Sequence, residues 1–256
     1  MSDYLGKQFG NYQLVELLGE GGFAQVYLGK HVHLDAQAAI KVLTTKLTEE
    51  GVTQFRKEAS TIINLEHTNI VRVLDFDLQG RIPFIVMSFA TNGSLRKRHL
   101  RGERVPLQTV LRYVKQVASA LQFAHNQKII HRDVKPDNML IGRNDEILLS
   151  DFGVAIIAHS TRSLSTEEVI SGTFSYMAPE QIQGKPRLAS DQYALGIVVY
   201  EWLTGVPPFT GTATEIGMQH LLIPPPPFPK DLNIPPKVSR FGQMVTRFCK
   251  CGKLWA

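Results

Sequence analysis

The 256 residues predict a two-lobed α+β architecture, a small β-rich lobe carrying one helix followed by a larger, mainly helical lobe. Three observations lead there. Up to about residue 90, apolar residues fall in short alternating runs; after "ATNGSL" their period changes to 3.6; and within the second region "HRDVKPDN" at 131–138 is followed by "DFG" at 151–153. Hydrophobic residues make up 43% and charged residues 20%, a balance that suits a buried core and excludes a disordered chain.

Taken in order, "YQLVELLG" and "AQVYLGK" are strands flanking the glycine-rich turn in "GEGGFAQV" at 19–26. "QAAIKVL" is a third strand, and "VRVLDFDL" and "RIPFIVMSF" are two more. Between the third and fourth, residues 48–65 place Phe55, Ala59, Ile62 and Ile63 at helical spacing. In the second lobe Pro106 opens a helix in which Leu107, Val110, Leu111, Val114, Val117, Ala118 and Leu121 recur on one side. "MLIGRNDEILLS" predicts a hairpin around a Gly-Arg-Asn-Asp turn, which would hold the two polar clusters together. Another helix is predicted from about Ser190, opened by a Ser-Asp cap, to Gly205 before "GVPPF". The proline run at 223–229 reads as an extended connection.

The net charge of +5 permits acidic partners, but no long basic arm is present and no nucleic-acid partner is predicted. "RKRHLR" at 96–101 is the densest basic run and reads as a solvated helix face, with docking of a substrate or of nucleic acid as the sharper alternative. The N-terminus lacks the features of a signal peptide. No stretch reaches ~18 apolar residues, and "YALGIVVYEWLTGV" is broken by Glu201, so a cytoplasmic chain without a membrane segment is expected. Two cysteines, Cys249 and Cys251, allow neither a disulfide framework nor a four-ligand zinc site.

The polar residues fit one chemistry in chain order. Phosphoryl transfer from a nucleotide needs backbone N–H groups near the phosphates, a cation over them, Mg²⁺ on oxygen ligands and a carboxylate for the attacking hydroxyl. Glycines at 19, 21 and 22 let a loop close over a ligand. Lys41 is a charge in an apolar strand, with Glu58 on the following helix as its candidate partner. Asp133 would orient the hydroxyl, Lys135 would neutralise the moving group, and Asn138 and Asp151 supply oxygens suited to a hard cation. Singly, each also reads as a surface residue.

Together with "APE" at 178–180, these motifs stand in the order and approximate spacing of the eukaryotic-like protein kinases, and the chain most closely resembles the bacterial serine/threonine kinases. The resemblance covers about 12–237, a small lobe to about residue 90 and a large lobe from 91, and leaves 238–256 as a divergent tail. It implies ATP- and Mg²⁺-dependent transfer of the γ-phosphoryl group to Ser or Thr hydroxyls of proteins, the chain's own activation segment among them. Leu18, Gly19, Glu20, Gly21, Gly22, Phe23, Ala24 and Val26 would cover the nucleotide, with Ala39 beside Val26 and Leu140 below the adenine.

By the same resemblance Lys41, paired with Glu58, takes the phosphates. Met87 precedes a hinge whose backbone at Ser88, Phe89 and Ala90 binds adenine. Asp133 is the base, Asn138 and Asp151 hold the metal, and Phe152, His131, Ile62 and Val73 form an apolar stack between the lobes. Lys135 together with Thr173 favours Ser/Thr over Tyr acceptors. Arg132 before Asp133 implies an activation segment ordered by a phosphate, expected on Thr166 and next on Ser165.

Two departures stand out. Ala24 replaces the third loop glycine, adding one methyl group. The tail "SRFGQMVTRFCKCGKLWA" aligns no arginine with the one that pairs with the "APE" glutamate, here Glu180; Arg240 and Arg247 are the substitutes available. The tail therefore reads as truncated or frame-shifted. The alternative to an active kinase is a kinase-fold nucleotide-binding module with little or no turnover.

Overall fold

The computed structural model describes residues 4–22, 24–44, 46–152 and 174–232. Six strands, β1 (Gln8–Phe9), β2 (Tyr12–Glu20), β3 (Ala24–His31), β4 (Gln37–Leu43), β5 (Val73–Gln79) and β6 (Ile82–Ser88), form one antiparallel sheet in the order β1-β2-β3-β4-β6-β5. Both faces of its middle are covered, which is why β4 is a nearly unbroken apolar run. Ala38, Ile40 and Val42 pack with Phe9, Leu14, Tyr27 and Phe84 on one face, and Ala39 and Leu43 pack with Ala24, Ile85 and Met87 on the other. Lys41 interrupts the run on this second face, in register with Val26. Gly29 on β3 is needed for close approach: a Cβ there would lie 2.6 Å from Ile40 Cγ1.

Helix α1 (Glu49–Ile62) is capped by Thr48, whose hydroxyl accepts the Gly51 N–H at 3.2 Å, and it lays Phe55, Ala59 and Ile62 inward. The large lobe contains α2 (Leu95–Arg98), α3 (Leu107–Asn126), the hairpin β7 (Met139–Ile141) with β8 (Ile147–Leu149), α4 (Pro179–Ile182), α5 (Leu188–Thr204) and α6 (Ala213–Leu222). Helix α5 is buried nearly all round, through Tyr193, Ala194, Ile197, Val198 and Trp202 among others, and so shows no polar stripe. It begins at Leu188, two residues before the predicted start. Ser190 lies inside the first turn, where its hydroxyl accepts the Arg187 N–H at 2.9 Å, and Asp191 faces the interior instead of capping.

The helix ends at Gly205, whose φ of +84° is the left-handed conformation such ends require. The proline run has no regular structure and leads from α6 to a 3-10 turn at Lys230–Leu232. The lobes are joined through Ile70, paired with Leu149, and through the chain after Ser88. No helix among the described residues is long and apolar enough to cross a membrane. Phe23, the expected phosphosites Thr166 and Ser165, Thr173, both cysteines and the whole tail with Arg240 and Arg247 lie outside the described residues.

Candidate active site

The β7–β8 hairpin performs the task its sequence suggested. Met139 pairs with Leu149, so Asn138 and Ser150 are neighbours, and the Ser150 N–H and hydroxyl both donate to the Asn138 carbonyl, at 2.9 and 3.1 Å. Buried Asn138 then donates its amide N–H₂ to the Asp133 carbonyl at 2.8 Å and to Asp133 Oδ2 at 2.9 Å. Lys135 Nζ sits 2.8 Å from the same carboxylate oxygen. Asp133 is thus fixed by an amide and an ammonium group, with its side chain still 27% exposed to whatever enters. The two polar clusters are one site.

A residue the sequence reading missed holds this loop. Asp191, 1% exposed on α5, accepts the N–H of His131 on Oδ2 at 2.9 Å and the N–H of Arg132 on Oδ1 at 2.8 Å. His125 Nε2 on α3 lies 2.7 Å from Oδ2. Arg132, immediately before Asp133, has φ +70°, an uncommon conformation for a side chain that branches no acceptor back to its own backbone. Asp191 on its N–H and Gln181 Nε2 on its carbonyl, at 2.6 Å, keep it there. Position inside a buried helix was the only available signal: a charged residue there is rarely buried without a partner.

The Lys41–Glu58 ion pair expected from the resemblance is not what the structure shows. Lys41 Nζ is 2.8 Å from Asp151 Oδ1, while Glu58 accepts a hydrogen bond from Gln54 one turn earlier on α1. The lysine takes the carboxylate of the other lobe, and Glu58 faces the charge of Arg132 instead. Burial pushes the Glu58 carboxyl up, only partly offset by the Gln54 hydrogen bond and by Arg132 and Lys57. Burial would also push Asp151 up, but the charge and hydrogen bond of Lys41, with His131 and Lys135 behind them, hold it below its ordinary value. Asp151 has φ +71°, a second left-handed residue at the site.

Above this polar floor lies an apolar face. Ala24, Ala39 and Met87 belong to one buried cluster, with Leu18, Val26, Phe89 and Leu140 packed against it, so the predicted adenine-lining side chains do converge from both lobes. A Cβ at Gly19 would meet nothing within 4 Å and one at Gly21 only the Ala24 carbonyl at 3.9 Å. These glycines therefore leave open space beside the site and do not relieve a clash within the protein. Glu20 accepts from Gln25 Nε2 at 3.0 Å, which braces the turn that also contains Gly22. Ser88 ties the end of β6 to the residue before β5 through its N–H to the Arg72 carbonyl at 2.9 Å, and Ala90 follows Phe89 in the expected hinge.

The stack between the lobes forms as expected. Phe152 and Ile62 share a buried cluster with Val73 packed against it, and the His131 ring is 4.5 Å from that of Phe152. The "RKRHLR" run, in contrast, is not simply a solvated face. Arg96 reaches inward to Glu201, 2.9 Å from Oε1, and to the hydroxyl of Tyr176, with Asp137 of the "HRDVKPDN" loop 3.5 Å away. Although desolvation opposes it, the hydrogen bond to Glu201 and the charges of Tyr176, Glu201 and Asp137 raise the Arg96 pKa, so the guanidinium remains charged. Burial and Glu201 likewise push the Tyr176 phenol up. Glu180 accepts from the Ser190 hydroxyl at 2.6 Å.

Asn138 has its amide nitrogen turned to Asp133, which leaves the amide oxygen, and Asp151 has one oxygen on Lys41 and one remaining. That donor set fits a small hard cation. Apolar side chains from both lobes, open glycines beside them, and a lysine, two aspartates and an asparagine below them are the arrangement of a bilobal kinase-type fold.

The chain belongs to the family described as protein kinase domain, whose model matches residues 12–247. It is 37% identical over 222 residues to serine/threonine-protein kinase PrkC of Bacillus subtilis (strain 168), covering 85% of this chain and 34% of that protein. It is 38% identical over 232 residues to serine/threonine-protein kinase Pkn1 of Myxococcus xanthus, covering 87% of this chain and 33% of the relative. Against serine/threonine-protein kinase PknA of Mycobacterium tuberculosis the figures are 37% over 245 residues, 92% and 56%. The chain thus spans between a third and somewhat over half of the length of these relatives.

Proposed function

We propose that this domain transfers the γ-phosphoryl group of ATP to serine or threonine hydroxyls of proteins, with Mg²⁺ as its metal. The observation that carries this reading is the fixed geometry of Asp133, held by Asn138 at 2.9 Å and Lys135 at 2.8 Å and still partly exposed. Asp133 accepts a hydrogen bond from the acceptor hydroxyl and takes its proton as the oxygen bonds to the γ-phosphorus. The bond from that phosphorus to the bridging oxygen breaks, and ADP leaves. Lys135, beside the same carboxylate, offsets negative charge where the groups meet.

The remaining residues bind and orient. Leu18, Val26, Ala39 and Leu140 sandwich the base, the open loop at Gly19 and Gly21 admits the phosphates, and Lys41 gives them a cation. Asn138 and Asp151 would hold Mg²⁺, which draws charge from the phosphate oxygens when bound. Ser/Thr as acceptor rests on Lys135 two positions after Asp133 and on the relatives, which are serine/threonine-protein kinases by name. A phosphate on Thr166 would dock at Arg132, whose Nε is buried without a hydrogen-bond acceptor among the described residues. A requirement for ATP supports a cytoplasmic location.

The test is incubation of the chain with ATP and Mg²⁺ beside Asp133→Asn, followed by intact mass and peptide mapping. Phosphate on the unaltered chain alone, with Thr166 or Ser165 among the sites, is the expected result. No phosphate on either protein would overturn the reading.

A further inference from the structure

The glycine-rich turn between β2 and β3 is closed by the Gly21 N–H on the Ala24 carbonyl at 2.9 Å, and the charged residue in "GEGGFAQV" is a carboxylate, Glu20. An acid is an awkward neighbour for phosphates. Its direction is set by the sheet. Val26 is in register with Lys41 on the face that carries the nucleotide-lining residues, whereas Glu20 is in register with Gln25, one position along β3 and therefore on the other face. Tyr27 lies on that outer face too, packed with Phe9, Leu14 and Phe84. Gln25 and Tyr27 are buried, at 6% and 1% exposed, although each carries a polar group among apolar neighbours.

Burial of those groups is offset by a chain of hydrogen bonds with one possible direction. A carboxylate only accepts, so the Gln25 amide must turn its N–H₂ to Glu20, at 3.0 Å. The Gln25 carbonyl is then left for the Tyr27 hydroxyl, which donates to it at 2.9 Å. The phenol oxygen in turn accepts the N–H of Tyr4 at 3.3 Å. Bonds aligned head to tail polarise one another, and here they end on a charge. Tyr4, whose ring meets those of Phe9 and Tyr27 edge-on at 5.2 and 6.4 Å, precedes the 12–247 stretch that the family model matches.

We propose that Gln25 and Tyr27 are positioning residues for the nucleotide phosphates: by holding the Glu20 carboxylate on the outer face of the sheet, they keep its charge off the phosphates and fix the glycine-rich turn that covers them. The inference rests on the nucleotide-binding reading above. Ala39 and Leu140, which line the adenine, take no part in the chain of bonds, so its influence falls on the phosphates and not on the base.

The experiment compares the affinity of the chain for ADP with Mg²⁺ and for adenosine, by isothermal titration calorimetry. In Gln25→Met, which keeps the length of the side chain and loses both links, the Kd for ADP rises roughly three- to tenfold, the range one lost hydrogen bond spans, while the Kd for adenosine stays at the wild-type value. Tyr27→Phe keeps the ring, leaves Glu20 its amide partner, and raises the ADP Kd by about two- to threefold, again without moving that for adenosine. An unchanged ADP Kd in both variants overturns the inference, as does an equal rise for both ligands, which would make the two residues supports of the fold alone. Should Gln25→Met fail to fold, Tyr27→Phe decides alone. A wild-type chain that binds neither ligand sinks the nucleotide reading and this inference with it, a result distinct from unchanged affinities in a chain that binds both.

Discussion

Asp191→Asn is the substitution whose effect is predicted to travel furthest. The asparagine keeps the shape of the side chain but has one acceptor oxygen where the carboxylate has two. Because the N–H groups of His131 and Arg132 occupy different oxygens, one of them must face an amide N–H₂ whichever way the new group turns. A buried donor left without an acceptor costs about 1–3 kcal/mol, and the surviving bonds lose the strengthening a charge provides, about 1 kcal/mol more. The total, about 2–4 kcal/mol, is less than the ~5–15 kcal/mol that holds a typical domain, so the variant folds. Arg132 at φ +70° is then held at one end only, and the residue that moves with it is Asp133. A displacement of ~1 Å at a reacting group lowers rates by up to about a hundredfold. Steady-state kinetics and urea unfolding are measured together, and the expectation is a kcat reduced by roughly ten- to a hundredfold with the KM for ATP unchanged. The expected loss of about 2–4 kcal/mol accompanied by a wild-type kcat would refute the reasoning, for it would make Asp191 a support of the fold alone.

Three further predictions concern the rest of the domain. Arg96→Ala leaves Glu201, 3% exposed, without its main counter-charge, and is expected to destabilise by about 3–5 kcal/mol; adding Glu201→Leu recovers part of that loss in a double-mutant cycle by chemical denaturation. His220 titrates near 4 in the folded chain against an ordinary value of 6.5, so the unfolded chain binds the extra proton first and stability falls as pH drops below about 6.5. By pH 5 this group alone removes about 2 kcal/mol, a slope that His220→Phe abolishes when unfolding is compared at pH 7 and pH 5. Gly29→Ala drives a methyl group against Ile40 and is expected to lower stability by about 1–3 kcal/mol, visible as a reduced unfolding midpoint.

Much of this arrangement was legible in the sequence wherever local pattern and final environment agree. "QAAIKVL" became β4 with its predicted bounds, because a strand covered on both faces has to be apolar throughout and its one charge then stands out. The hairpin that joins the two polar clusters was equally plain, since its turn and its two apolar runs all lie within "MLIGRNDEILLS". What escaped are residues whose meaning lies far along the chain. Asp191 resembles a helix cap until the loop some 60 positions earlier folds onto it. Arg96 resembles a solvated charge until α5 brings Glu201, 105 positions away, beneath it. Lys41 had two carboxylates within reach, and spacing along the chain does not say which of them it takes.

The bond between Lys41 and Asp151 joins an ammonium of the sheet to a carboxylate of the hairpin, one from each lobe. Phosphates and a metal ion would each claim one half of it: anionic oxygens compete for the lysine, and a cation competes for the aspartate. Either arrival alone must part the pair and leave one member uncompensated. Arriving together, they would exchange one ion pair for two. On the proposed roles of Lys41 and Asp151, nucleotide and metal would therefore strengthen one another's binding by the same factor, a coupling set by the closed salt bridge.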